Sequence, residues 1–382
     1  MATSRYMKTA NPAWLARLGC AEGRAARRHR GLRDLLVVLA FGRPTHRAHG
    51  FGASLFGEGP APLSRIRAAG QAYARGFVRC SAGSSIHLRL ALGTSNFGPS
   101  VGYQHGRAWA VMVNRANAWL ARRGLAGRVT VAGASDIELA WNGPRVTRAW
   151  VRGYDSVARW PFYNFGAMES CPPVGDCWGN WTLEDVWYVS WGARSAWPLP
   201  QVYTPNGSMA AQWFTLARYS VRRHRSPMRF AGVMTQVGAC RQSHEPCRGT
   251  NNRPHQAWRQ LQRLLDSDRR TAHRLRWVTD IRWRGLGTAL VPAQGPRLGH
   301  RPERPHRADR PRPERPGHTD RGRPGRAGWP RRPEPGERPR GERGGPEDRR
   351  PSRTPRPERP APPSPAPFPG LPSFAPLGLE LV

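Results

Sequence analysis

Apolar positions along the first 283 residues fall into two alternating kinds of run. Short unbroken runs such as Leu35–Phe41 and Ile86–Leu92 have the length and branching of strands buried on both faces. Between them lie amphipathic stretches. Trp109, Val113, Ala116 and Leu120 recur at helical spacing, as do Trp258, Leu261 and Leu265. The pattern predicts strands starting near residues 35, 86, 129, 161, 186, 200, 228 and 275. It predicts helices over Leu63–Phe77, His105–Arg123, Pro144–Tyr154, Ser208–Val221 and Pro254–Leu265, with a brief one headed by Thr182. Residues 1–33 read as an irregular basic segment holding a short helix over Pro12–Leu18.

Strands alternating with helices imply parallel pairing through right-handed crossovers. Eight such strands in about 250 residues give the expectation of an α/β protein with a (β/α)8 TIM-like barrel over 34–284. An open doubly wound sheet is the runner-up. No G-x-G-x-x-G joins a strand to a helix, so a dinucleotide cofactor has no support, and no cofactor is expected.

Composition changes the picture at the end of the chain. Residues 291–382 hold 24 of the 39 prolines, in repeated Arg-Pro-Glu-Arg-Pro units. Too little apolar surface is present to offset the entropy of ordering, so 285–382 is expected to be a disordered Pro/Arg-rich tail. It reads either as a wall-spanning linker drawn to polyanions or as an unselected extension.

The net charge of +36 does not come mainly from that tail. Its 20 arginines against 11 acids give +9, which leaves +27 on residues 1–290. Lys8 is the sole lysine, and the arginines are scattered rather than gathered in a stripe. A base composition that favours arginine explains this better than a dedicated nucleic-acid surface. Nonspecific attraction to polyanions follows in either case.

Six cysteines, at 20, 80, 171, 177, 240 and 247, match no zinc signature. The histidines form no H-E-x-x-H or triad, so no metal is expected. Of the fifteen pairings, short separations favour Cys171–Cys177 and Cys240–Cys247, leaving Cys20 with Cys80. Three disulfides would suit an extracellular protein; six free buried thiols in a cytosolic one are the rival reading. No apolar run reaches the ~20 residues of a membrane span. The basic stretch 24–33 followed by Leu35–Ala40 is short and late for a leader, and reads better as a core strand.

The candidate chemistry sits where Val129–Ala134 runs into Ser135-Asp136-Ile137-Glu138. In a strand, Asp136 and Glu138 project to one face, about 6–7 Å apart along the backbone. Neighbouring carboxylates titrate apart, which makes an acid and a base from one residue class. Other expected strand ends add Asn96, Tyr163, Asn164, Glu169, Trp191, Tyr203, Gln236 and Asp280. Acids, amides and aromatics together suit a sugar-binding cleft, with Asn96, Tyr163, Glu169, Trp191, Tyr203 and Gln236 as substrate contacts. The plainer reading makes Asp136 and Glu138 partners for scattered arginines, the aromatics core residues and Glu169 a solvated loop acid. Ser135 lacks the elbow of a serine hydrolase.

The segments VTVAGASDIE, FYNFG, VWYVSWGA, LPQVY and TDIRW occur in that order over roughly 30–283. Together they resemble uncharacterised secreted actinobacterial glycoside-hydrolase-like TIM-barrel proteins, which are distantly similar to lysozyme-type family 25 glycoside hydrolases. The resemblance implies a secreted barrel acting on a cell-wall or other polysaccharide. By that likeness Glu138 is the general acid, and Asp136 orients substrate or stabilises charge. Lysozyme-type enzymes also carry an Asp on the first barrel strand. Leu39-Ala40-Phe41-Gly42 has none, which leaves a glycan-binding or polyanion-binding barrel without catalysis as the alternative.

Overall fold

The computed structural model describes residues 1–48, 50–242, 247 and 249–283. Eight parallel strands form one sheet: β1 (Ala2–Tyr6), β2 (Asp34–Ala40), β6 (His87–Ser95), β7 (Val129–Asp136), β8 (Phe162–Asn164), β9 (Ala196–Pro198), β10 (Gly232–Thr235) and β11 (Trp277–Arg282). Their order is β10-β11-β1-β2-β6-β7-β8-β9. Just past β9, Gln201 bridges Met234 of β10, and Val202 N donates to Met234 O at 2.9 Å. The sheet is therefore nearly closed and barrel-like.

In chain order, helices fall between these strands: α1 (Pro12–Arg27), α2 (Leu63–Cys80), α3 (Tyr103–Arg122), α4 (Pro144–Val157), α5 (Leu183–Trp187), α6 (Ser208–His224), and α7 (Val237–Gln242) with α8 (Pro254–Asp266). A small antiparallel sheet of β3 (Arg43–Arg47), β4 (Gly50–Ser54) and β5 (Pro60–Pro62) is inserted between β2 and α2.

The unbroken apolar run of β2 is divided between two cores, as alternation requires. Leu35, Val37 and Leu39 join the large cluster beneath the helices. Leu36, Val38 and Ala40 join a smaller one with Ala91, Ala132, Tyr163, Leu199, Met234 and Ile281 inside the sheet. A strand buried on both faces can carry no polar alternation, and this is why β2 and β6 were legible.

Three expectations require correction. Residues 1–33 are not irregular, since they form β1 and α1. Polar Thr3, Ser4 and Arg5 disguise β1, but each of the latter two is matched across the fold. Ser4 Oγ bonds Thr279 Oγ1 at 2.8 Å, and Arg5 reaches the buried Glu22 of α1 at 2.6 Å. The expected strand over 186–191 is helical. Thr182 and Asp185 close a capping box that starts α5, and a π-helical turn, Tyr188–Gly192, continues it. A short apolar run such as Val186–Val189 fits a buried helix as well as a strand. The sixth barrel strand is instead Ala196–Pro198, and the expected strand at Pro200–Tyr203 supplies only the Gln201 bridge. The count of eight thus held because two missed strands, β1 and β9, offset two expected ones, at 186–191 and 200–203, that are not strands.

All three disulfides join the expected partners. Cys20–Cys80 ties α1 to α2, and Cys171–Cys177 and Cys240–Cys247 close short loops. They are consistent with an oxidising, extracellular environment. No described helix is long and apolar enough to cross a membrane. The Pro/Arg-rich tail lies outside the described residues.

Candidate active site

β7 pairs with β6 through Ser95↔Asp136, so the chain leaves both strands at one level, the carboxyl end of the sheet. Asn96 then fixes the next two residues. Its backbone N donates to Asp136 O at 2.9 Å, its Nδ2 donates to Glu138 O at 2.9 Å, and its Oδ1 accepts from Glu138 N at 3.0 Å. The side-chain amide of Asn96, expected as a substrate contact, is thus bonded within the fold, to Glu138 and to Thr147 Oγ1.

Glu169 arrives by a similar device. Phe165 N donates to Ser135 O and Ala167 N to Ile137 O, so the segment after β8 runs alongside 135–139. Gly166 makes this approach feasible, because a Cβ there would stand 1.8 Å from Ile137 O. Glu169 Oε2 then accepts from Leu139 N at 2.8 Å, and its carboxyl meets that of Glu138. The expectation of a solvated loop acid does not hold.

Gln201 completes the group. Its Nε2 donates to Asp136 Oδ1 at 2.8 Å and to Glu138 Oε1 at 3.0 Å. A nitrogen shared at hydrogen-bond length keeps the two acceptor oxygens within about 6 Å of each other. Sequence reasoning quoted Gln201 within LPQVY but passed it over for Tyr203. Nothing local marks a glutamine as the donor for acids 63 and 65 residues away.

Burial governs the protonation of all three acids. Asp136 is 5 % exposed, and its carboxyl is pushed well above the usual range by burial and then by the charges of Glu138 and Glu169. Glu138 is raised to about 7 by burial, with the Gln201 hydrogen bond opposing the rise. Glu169 is raised too, again chiefly by burial. No cation appears among the groups that perturb Asp136 or Glu138. Elsewhere among the described residues, Arg5 pairs Glu22, Arg65 pairs Glu58, Arg148 pairs Asp185 and Arg194 pairs Asp155. The reading of Asp136 and Glu138 as partners for scattered arginines is therefore set aside.

Asp136 lines a cleft of about 650 Å³. Following the strands round the sheet, its aromatic walls come from Trp283 after β11, Tyr6 on β1, Phe56 after β4, Phe97 after β6 and Trp141 after β7. Tyr6 packs on Trp283 at 4.4 Å and on Phe56 at 4.7 Å, and Phe97 meets Trp141 edge-on at 5.8 Å. Phe56 and Phe97 are each about two-fifths exposed, so their faces are open to a ligand. None of these five rings was singled out from sequence, because each lies beyond a strand end whose neighbours only closure of the sheet reveals.

The remaining expected residues divide. Gln236 lines the cleft and donates to Thr250 Oγ1 at 3.0 Å. Tyr203 is buried beside Tyr6, Asp136 and Glu138, and its hydroxyl makes no hydrogen bond of good geometry. Tyr163 faces the opposite end of the sheet, where its hydroxyl senses Arg89, Arg276 and Asp34. Trp191 belongs to the π-helical turn, where Nε1 donates to Ser226 Oγ and the ring packs on Trp197. Neither Tyr163 nor Trp191 reaches the cleft. Asp280 accepts from Thr235 Oγ1 at 2.8 Å inside the sheet. Among the described residues, no group of three His, Cys, Asp or Glu side chains is arranged to hold a metal.

No protein-family model and no curated protein matches the chain.

Proposed function

We propose that this protein is a (β/α)8 glycoside-hydrolase-like barrel that cleaves a cell-wall or other polysaccharide. Glu138 serves as the proton donor, with Asp136 in support. The observation that carries the reading is a group of three buried carboxyls with no ion-pair partner among the described residues, in which Glu138 titrates near neutrality. A general acid works best when its pKa lies close to the working pH.

In this scheme the sugar enters the aromatic cleft, where pyranose faces pack on Phe56, Phe97 and Trp141. Protonated Glu138 gives its proton to the glycosidic oxygen. The Gln201 N–H then stabilises the carboxylate left behind, which takes the proton of the water that adds to the anomeric carbon. Asp136, ionised once its proton passes to a neighbouring acid, supports the positive charge that develops on the ring. Sharing Gln201 holds Asp136 and Glu138 together as the paired carboxyls that glycoside hydrolysis uses. The three acids exchange protons as a unit, so the pH profile reports the group.

The test is reducing-end release from peptidoglycan and a panel of polysaccharides, comparing the full chain with Glu138→Gln. Activity lost in the variant, with an unchanged circular dichroism spectrum, supports the assignment. Equal activity in both overturns it.

One observation favours a second reading, a barrel that binds glycan without cleaving it. The first strand is β1, and its end, Tyr6-Met7-Lys8, carries no carboxylate. Retention on insoluble glycan without any product release would select this reading.

A further inference from the structure

Arg43 is the cation that lines the acid-floored cleft among the described residues, and the proposed function does not employ it. It opens β3 directly after Gly42, whose φ of +87 turns the chain out of β2. A Cβ at Gly42 would stand 2.2 Å from Ser54 O, so only glycine lets β3 start against β4 at this point. Arg43 pairs in register with Ser54, which fixes its backbone at the cleft wall. Its guanidinium lies 6.0 Å from the Phe97 ring centroid, and Phe97 in turn rests on Trp141.

Its place in the cleft wall sets this arginine apart, and three facts bear on what it can do there. It is exposed, and no carboxylate of the described residues lies within ion-pair distance of it. It is not among the groups that shift Asp136 or Glu138, and it makes no ion pair with either. It is held on an aromatic face, which orients the planar fork without occupying its N–H donors. A second cation, Lys8, stands 5.8 Å from the Trp283 ring of the same cleft. Guanidinium forks in that condition bind carboxylate or phosphate oxygens in pairs.

We propose that Arg43 is a specificity residue selecting an anionic glycan, one whose sugar carries a carboxylate or phosphate that pairs with the guanidinium while the ring stacks in the cleft. This rests on the cleft being a glycan site, and it names the substrate class. Buried acids that hold their protons make the floor tolerant of such a ligand.

The experiment is calorimetric titration of the full chain with three probes: a uronic-acid oligosaccharide, its carboxyl-reduced derivative, and a sugar-phosphate oligomer of similar length. Variants are Arg43→Gln and Arg43→Lys, with Arg47→Gln as a control on the same strand. Wild type is expected to bind at least one anionic probe about tenfold or more tighter than the neutral one. Arg43→Gln should lose that preference, Arg43→Lys should keep part of it, and Arg47→Gln should keep all of it. The tighter anionic probe identifies the source of the charge. Equal binding of charged and neutral probes, or a preference that survives Arg43→Gln, overturns the proposal. A preference lost equally in Arg47→Gln assigns it to diffuse surface charge and overturns it as well. Arg43-dependent binding without bond cleavage would leave this inference standing and remove the hydrolase.

Discussion

The two ends of the sheet handle carboxylates in opposite ways. At the amino end, Asp34 is flanked by Arg89 and Arg276, and both guanidinium groups stack on Trp277, at 5.8 and 4.7 Å. Tyr163 meets the same indole edge-on at 6.4 Å. Charge is met by charge there. At the carboxyl end, Asp136, Glu138 and Glu169 crowd together with an amide and backbone N–H groups as their partners. A chain with 61 basic residues and 25 acids could have placed an arginine beside them. Leaving the acids unmatched destabilises the fold and raises their pKa values, which is the usual signature of a working site.

The largest effect expected to break this contrast is on activity. Glu138→Gln should reduce glycan cleavage about 10²- to 10⁴-fold, the range for loss of a general acid, as read by reducing-end release. Asp34→Asn at the other end should leave the rate per folded molecule unchanged. If the two variants lose activity equally, the ends do not differ in function.

Stability against pH is the next largest. Glu138 is ordinarily near 4.5 and is raised to about 7 in the fold. Between those values the unfolded chain has released the proton while the native chain still holds it. Native stability attributable to this group is therefore full below about pH 4.5 and declines as pH rises through about 7. The loss amounts to roughly 3 kcal/mol. Urea denaturation at pH 5 and pH 8 should show it in wild type and not in Glu138→Gln. A wild-type curve no steeper than that of the variant would remove the assigned burial penalty.

A smaller effect concerns Gln201, whose hydrogen bonds favour the charged form of both acids. Gln201→Leu should move the alkaline limb of the activity profile upward by about one pH unit or less, since a single such bond is worth about 1–2 kcal/mol. A shift towards acid would contradict the role given to it. Asp34→Asn should cost about 1–2 kcal/mol in denaturant, because its two arginine contacts are partly exposed and screened. Tyr163→Phe should be the mildest, with activity retained and a stability change below about 1 kcal/mol. A large loss of activity there would place the cleft at the wrong end of the sheet.

The run VTVAGASDIE carried its own message. A strand that ends in two acids with one residue between them puts both on one side, whatever the rest of the chain does. The same local logic found β2, β6, five long helices and the two short disulfide loops. It failed at β1, where Ser4 and Arg5 look unlike strand interior until Thr279 and Glu22 are brought beside them. It failed again at 186–191, where an apolar run without clear period suits either element.

Sequence by itself determined which segments are apolar with period two or 3.6, and where two acids share a face, because these depend on bonded neighbours alone. Tertiary structure decided that Glu169 joins them, that Gln201 bridges them, that no arginine of the described residues does, and that Arg43 with five aromatic rings lines the cleft. Those relations span tens to hundreds of residues and exist only once the sheet curls and buries its ends. Burial, which no local pattern encodes, is also what raises Glu138 to about 7.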